Sequence, residues 1–355
     1  MKVLLLSRYG NLGASSRVRS FQYVPYLDKK GIKVDISPLF CDEYIKNFYE
    51  HGIKPIGLVM KAYIRRLISL TKIKRYDLLW IEKELFPMLP AWGEELFAEL
   101  KIPYIVDYDD AIFHNYDLNK NRLIRFFLKD KIDIVMKKAA SVIVGNDYLA
   151  ERAHKAGAKR VEYLPSVVDL EKYKFTDKFS TDIFRIGWIG SPSTVKHLHL
   201  IHNVLKKFCA ETVARLIVVG AGEIDLVGVP VEIREWIEDT EVVNIQDFDV
   251  GIMPLADEPW ERGKCGFKLI QYMACGLPVI GSPVGVNAKI IKHGINGYQA
   301  KNINEWIWAL QKLKGDQKLR QKMGEAGREI VKKKYCLQVT APRLVKILYS
   351  VIKSN

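Results

Sequence analysis

Apolar residues fall along this chain in two alternating patterns. Short continuous runs at 3–7, 33–37, 78–81, 104–107 and 141–145 predict strands. Between them, as at 16–29 and 123–138, apolar positions recur at helical spacing and predict amphipathic helices. The stretch "EYLPSVVDLEKYKF" breaks the rhythm and reads as a linker. A second series of strands is predicted at 184–189, 215–219, 229–233, 250–253 and 278–280, and the chain from Asp316 onward reads as helical. Strands alternating with helices make a parallel α/β sheet. The pattern predicts an α/β protein of two doubly wound, Rossmann-like domains facing a central cleft. The expected division is 1–165, 166–335, and a final helical stretch 336–355 packing back on the first domain.

Composition narrows the setting. With 355 residues, 48% hydrophobic and 27% charged, the chain is long enough for two cores and too apolar for disorder. No apolar run approaches a bilayer span. The opening "MKVLLLSRYG" is too short for a signal peptide and reads as the first strand. Cys41, Cys209, Cys265, Cys275 and Cys336 show no disulfide or metal spacing. A cytoplasmic location is expected.

The formal charge of +14 is spread over the chain but peaks between Lys46 and Arg75, where eight basic residues meet one acid, Glu50. Apolar residues interleave with these cations. Two readings stand: a surface that docks on anionic lipid at the inner face of a membrane, or a core-packed helix with a solvated basic face. No nucleic-acid motif accompanies the charge, so no specific nucleic-acid partner is expected.

Chemistry concentrates after the strands, where doubly wound sheets hold ligands. The first turn, "SRYGNLGASSRVRS", combines Gly10 and Gly13, a hydroxyl at Ser15 or Ser16 to cap a helix, and Arg17 and Arg19 in its first turns. Such a helix end favours an anion. Its spacing does not fit GxGxxG, so a nicotinamide cofactor is disfavoured. In the second domain "IGWIGSPSTVKHL" repeats the arrangement with Gly190, Ser191, Ser193, Thr194 and Lys196. The helix beginning near Phe267 adds Lys264 and Lys268. Two helix starts and three lysines predict a diphosphate site.

Carboxylates cluster in the first domain. Glu82 and Glu84 follow one strand, and Asp107, Asp109 and Asp110 follow the next. Orientation of sugar hydroxyls, stabilisation of positive charge and helix capping are all open to them. No second cluster completes a hard-cation shell, so no metal site is expected. His114, His197, His199 and His202 are assigned to surface or packing, and Trp236 to the core.

The stretch "CGFKLIQYMACGLPVIGSPVGVNAKIIKHGINGYQA" resembles the donor-site signature of the retaining glycosyltransferases of family 4, which have the GT-B fold. "IGWIGSPSTVKHL", "LIVVGAGE" and "YLPSVVDLEKY" fall in the order that family shows. The resemblance implies a nucleoside diphosphate sugar against the C-terminal domain, an acceptor against the N-terminal one, and no obligatory metal or other cofactor. It matches Lys196 to the lysine of the glycine loop and Gly266 to the glycine at the helix entry. It aligns Gln271 with a glutamate that holds the ribose, and Asp109 with a histidine. Ser191 stands where an arginine is frequent. The first glutamate of the family pattern falls on Gly263, leaving Glu258 or Glu261 to substitute.

The expected protein is a retaining, hexosyltransferase-type glycosyltransferase. It would serve polysaccharide biosynthesis at the cell surface as a peripheral membrane enzyme, with a lipid-linked or glycan acceptor. Asp109, Asp110 and Glu258 are the catalytic candidates. Gly13, Gly190, Ser191, Thr194, Lys196, Lys264, Gly266, Lys268 and Gln271 are assigned to the donor, and Arg17, Arg19 and Glu84 to the acceptor. The rivals are a sugar-nucleotide epimerase of the same fold and a catalytically silent, nucleotide-binding partner of another transferase.

Overall fold

The computed structural model describes residues 1–52, 56–175 and 182–353. Residues 53–55 of the basic segment and 354–355 of the final stretch lie outside them. The chain divides into two compact units. The first holds Met1–Ser166, Gly263–Cys265 and Thr340–Asn355, and the second Val167–Arg262 and Gly266–Val339.

The first unit is built on six parallel strands: β1 (Lys2–Leu6), β2 (Lys33–Ile36), β3 (Leu78–Glu82), β4 (Tyr104–Tyr108), β5 (Ser141–Val144) and β6 (Val161–Tyr163). Their order is β2-β1-β3-β4-β5-β6. β3, β4 and β5 are buried at every position, as parallel strands covered on both faces must be. The winding reverses between β1 and β3, so the carboxyl ends of these strands open a crevice suited to ligands.

Two of the predicted helices are broken. The stretch 16–29 becomes Ala14–Arg19, a 3-10 turn Phe21–Tyr23 and Val24–Lys29. Pro25 lacks an N–H and sits where a helix can begin. The stretch 123–138 is likewise two helices, Arg122–Leu128 and Lys131–Lys138. The last helix, Leu337–Lys353, joins the first unit from Thr340 onward. There Tyr23 Oη meets Thr340 Oγ1 at 2.9 Å, and Arg160 donates to Ser350 Oγ at 2.7 Å.

The second unit repeats the plan with β7 (Phe184–Ile189), β8 (Ala214–Val219), β9 (Val231–Arg234), β10 (Val250–Met253), β11 (Val279–Gly281) and β12 (Gly297–Gln299). All pair in parallel in the order β12-β11-β10-β7-β8-β9. One apolar layer holds Trp188, Leu205, Phe208 and Leu310, and another holds Phe248, Leu269, Tyr272 and Met273. Here the winding reverses between β7 and β10. Strands β6 and β12, three residues each, are additions to the predicted set.

The basic segment forms part of helix Asp42–His51 and helix Ile56–Leu70. Ala62 and Arg66 are buried on one face of the second helix, where Arg66 Nη2 donates to the Ser7 carbonyl at 2.6 Å. Ile56, Met60, Ile64, Leu67 and Ile68 are exposed. The helix therefore packs on one side and leaves an apolar stripe on the other, flanked by exposed Lys61 and Arg65. Among the described residues no helix is long and apolar enough to cross a membrane.

Candidate active site

At the β1/β3 crevice the first unit is filled with ion pairs of its own. Ser16 Oγ donates to Glu82 Oε2 at 2.6 Å, and the Arg8 amide donates to the same oxygen at 2.9 Å. The anion at this turn is thus an internal carboxylate. Gly13 caps the six-residue helix Ala14–Arg19 and is required by packing, since a Cβ there would lie 2.3 Å from Tyr9 Cβ. These contacts give Gly13 a packing role in the turn.

Arg19 and Glu84, assigned to the acceptor, are consumed internally as well. Arg19 is 2% exposed and grips Asp107 with two bonds, 2.8 and 3.1 Å, while donating to the Leu164 carbonyl at 2.7 Å. Burial pushes the Asp107 carboxyl up to about 6 against the opposing pull of Arg19. Glu84 accepts from Arg8 at 2.8 Å, from the Tyr116 hydroxyl at 2.6 Å and from Lys131 at 2.5 Å. Burial alone would raise its pKa; Arg8 and Lys131 outweigh it and hold the carboxyl below the usual range. Both residues are buried charges whose partners satisfy them fully. Arg17 is half-exposed and donates to the Asn11 carbonyl at 2.5 Å.

Lys83, absent from the sequence-based assignment, organises the carboxylates. Its ammonium lies 2.9 Å from Asp109 Oδ1 and 3.4 Å from Asp110 Oδ2. Its backbone takes φ of 67°, a left-handed conformation that a residue with a side chain adopts at a cost. Asp109 also accepts from Ser15 Oγ at 2.6 Å. Despite burial, Lys83 and then Arg19 hold the Asp109 carboxyl below its usual value. Asp110 is the more exposed of the two.

Lys264 belongs to this unit, not to the second. Asn146 Nδ2 donates to the Gly263 carbonyl at 2.7 Å and to the Lys264 carbonyl at 3.1 Å, and its Oδ1 caps the helix Asp147–Lys155. A Cβ on Gly263 would lie 2.4 Å from Ala111 Cβ. So held, the Lys264 ammonium faces Asp110 at 4.0 Å. Lys196 and Lys268, expected to share a diphosphate with it, fall in the second unit.

In the second unit the carboxyl ends of β7 and β8 form a compact, glycine-rich floor. A Cβ on Gly190 would lie 2.6 Å from the Trp188 ring, 2.7 Å from Lys268 Cε and 2.8 Å from Thr194 Oγ1. Gly220, at φ 77°, has no room either: a Cβ would lie 2.7 Å from the Gly190 carbonyl and 2.8 Å from Trp236 Cβ. Two bare backbones therefore lie side by side, ringed by an ammonium, a hydroxyl and two indoles. The Lys268 ammonium sits 5.0 Å from the centroid of the Trp188 ring. Ser191 precedes Pro192–Ile201, which is 3-10 rather than α-helical, and its carbonyl takes both the amide and the hydroxyl of Thr194. Runs of 3-10 this long are uncommon. Gly266 opens helix Phe267–Ala274 at φ 66°, with no side-chain cap on the helix start.

Glu261 faces the 3-10 segment that follows Ser191. Its side chain is 2% exposed, with Oε1 3.6 Å from His197 Nε2 and 3.8 Å from the exposed Lys196 ammonium, and Oε2 is buried without a hydrogen-bond partner. Glu258 is exposed. Of the two carboxylates open to substitute for the family's first glutamate, the buried one is Glu261.

Gln271 is 3% exposed and tied into a polar chain. Its Nε2 donates to the Tyr173 hydroxyl at 2.8 Å; that hydroxyl donates to Glu241 Oε1, and Trp236 Nε1 donates to Glu241 Oε2 at 2.6 Å. Burial, then the Glu241 carboxylate, push the Tyr173 pKa well up and keep its proton in place. Gln271 thus anchors a chain that fixes the edge of Trp236, which is half-buried beside Gly220 and packs against the core. One of its N–H groups is thus spent inside the protein.

Residues 183–316 match the family model described as glycosyl transferases group 1. A curated relative, N-acetyl-alpha-D-glucosaminyl L-malate synthase of Bacillus anthracis, is 28% identical over 168 residues. That match takes in 45% of this chain and spans 44% of the relative's length. Sucrose-phosphate synthase from Thermosynechococcus elongatus has the same fold, with a TM-score of 0.77 at 15% identity over 100% of both chains. HepE of Anabaena, solved in complex with UDP-glucose, gives a TM-score of 0.71 at 17% identity over 99% of this chain and 100% of that one. The chain thus has the two-domain α/β architecture of GT-B proteins, and its residues 183–316 resemble the group 1 glycosyl transferases.

Proposed function

We propose that this protein is a glycosyltransferase that takes a sugar from a nucleoside diphosphate sugar and passes it, with retained anomeric configuration, to a lipid-linked or polysaccharide acceptor in cell-surface glycan synthesis. The observation that carries the reading is the Gly190–Gly220 floor with Lys268 and Thr194 around it. Bare backbone allows close approach of a pyrophosphate, and the ammonium lies where its negative charge would grow as the sugar leaves. The match to group 1 glycosyl transferases covers these residues, and HepE, of the same fold, has been solved with UDP-glucose.

In this reading Lys268 stabilises the departing diphosphate, with Ser191 and Gly266 supplying backbone amides at the two helix starts. Lys196 borders the same anion. Glu261, with one carboxylate oxygen buried and unpartnered, accepts hydroxyls of the transferred sugar. Trp236, its edge held by Glu241, offers a face to the base. On the first unit, Asp110 and Arg17 meet the acceptor, while Lys83 keeps Asp109 ionised and pairs with Asp110. The charge of the leaving group is handled by protein cations and amides, so transfer is proposed to need no metal or other cofactor. The apolar stripe Ile56, Met60, Ile64, Leu67 and Ile68, beside Lys61 and Arg65, supports docking on an anionic membrane.

The test is release of nucleoside diphosphate from candidate sugar nucleotides with and without membrane extracts as acceptor. Acceptor-dependent release is expected. Release without any acceptor, or conversion of one sugar nucleotide into another, would favour an epimerase; binding with no turnover under any condition would favour a silent partner.

A further inference from the structure

The helix Arg122–Leu128 presents a surface that neither the fold nor the donor site explains. Leu123, Phe126 and Phe127 on it are 68%, 75% and 71% exposed, and Leu118 just ahead is 56% exposed. The two phenyl rings meet edge on, with centroids 5.0 Å apart. Of the helix itself only Leu128 is buried. Its apolar residues therefore do little for the core.

Charge says what such a face suits. From Lys120 to Lys129 there are four cations and no carboxylate. Among the described residues Lys120, Arg122 and Lys129 make no ion pair, and Arg125 donates to the Asn119 carbonyl at 2.9 Å. Arg122, Arg125 and Lys129, with Arg152, also line an open hollow of about 490 Å³. Asp117 and Asp130 share that hollow, but Asp117 already serves Arg152 and His114. A second copy docked face to face would bring Arg122 and Arg125 against their own equivalents, with only Asp130 left in the patch to offset them. An anionic lipid surface answers both features at once. Rings and leucine settle at the headgroup boundary, and flexible cations reach the phosphates.

We infer that the helix Arg122–Leu128 is a membrane contact in its own right, seating Leu123, Phe126 and Phe127 in an anionic bilayer surface with Arg122, Arg125 and Lys129 on lipid phosphates. It rests on the membrane reading given above only in that both call for lipid; the residues are separate from those of helix Ile56–Leu70. Two attachment points on one unit restrict how that unit turns on the surface.

The experiment is cosedimentation of the full chain with vesicles of phosphatidylglycerol and phosphatidylcholine in equal parts. It compares wild type, the double variant Phe126→Asp/Phe127→Asp, the charge-reversed Arg122→Glu/Lys129→Glu, and Ile64→Asp/Leu67→Asp. Wild type is expected to bind, the phenylalanine variant to partition about tenfold more weakly or worse, and the charge-reversed variant to lose the salt-sensitive part of binding. Circular dichroism of all four should coincide, because the altered side chains are exposed. If both variants of this helix bind like wild type while Ile64→Asp/Leu67→Asp does not, the inference falls and the membrane reading stands. No binding by wild type would remove both. Self-association of wild type in sedimentation velocity, lost in the phenylalanine variant with lipid binding intact, would assign the patch to a protein partner and overturn the inference.

Discussion

The side-chain amide of Gln271 donates to the Tyr173 hydroxyl at 2.8 Å, and Tyr173 spends its one proton on Glu241. Position 271 must therefore supply a donor. A carboxylate there would face an oxygen with no hydrogen to offer, inside a buried chain that already ends on Glu241. Gln271→Glu is expected to lose about 1–3 kcal/mol of stability, read from urea unfolding at neutral pH, without any gain in nucleotide affinity. A Gln271→Glu variant as stable as wild type would mean that the chain runs the other way.

Lys83 carries two separable costs, its left-handed backbone and its buried charge. Lys83→Met leaves Asp109 and Asp110 without their cation and should destabilise by about 3–5 kcal/mol. Lys83→Gly removes the same charge but tolerates φ of 67°. It should be the more stable of the two variants by about 1 kcal/mol. Equal stabilities in denaturant titrations would dispose of the strain. In either variant the Asp109 carboxyl should titrate upward in a carbon-detected NMR experiment.

Acid should reveal the Glu84 network. A carboxyl held below its unfolded value of 4.5 stabilises the fold fully above that pH and loses the contribution as pH falls through the folded value. The stability difference between wild type and Glu84→Gln should accordingly be largest at neutral pH and shrink steadily below about pH 4.5. A pH-independent difference would indicate that Arg8 and Lys131 do not set the titration.

Gly190→Ala tests the floor of the donor site. The added methyl has no space between Trp188, Lys268 Cε and Thr194 Oγ1. The flexible lysine is the side chain that must yield. We expect the variant to fold and to bind UDP about tenfold or more weakly. Unchanged affinity in a fluorescence titration would show that Lys268 has room to spare.

The sheets were legible because fully buried parallel strands such as β3 and β4 are continuous apolar runs. Strands β6 and β12 were not, since three residues such as "VEY" and "GYQ" carry no periodicity. The glycine loop at Gly190 and Lys268 could be read from residue type and position at a strand end. What the chain order hides is pairing. Arg19 and Glu84 have the composition of ligand-binding residues, yet Asp107 and Lys131, distant in sequence, claim them in three dimensions. Lys83 stands between two more conspicuous glutamates, and nothing in its neighbours announces a positive φ. Lys264 lies close to Lys268 along the chain, yet Asn146 holds its carbonyl in the first unit.

Calorimetric titration of UDP into wild type and Lys268→Ala tests the central claim most directly. A diphosphate seated on the Gly190–Gly220 floor depends on that ammonium, so the variant should bind at least about tenfold more weakly, about 1.4 kcal/mol. Equal affinity of the two proteins for UDP would contradict the account.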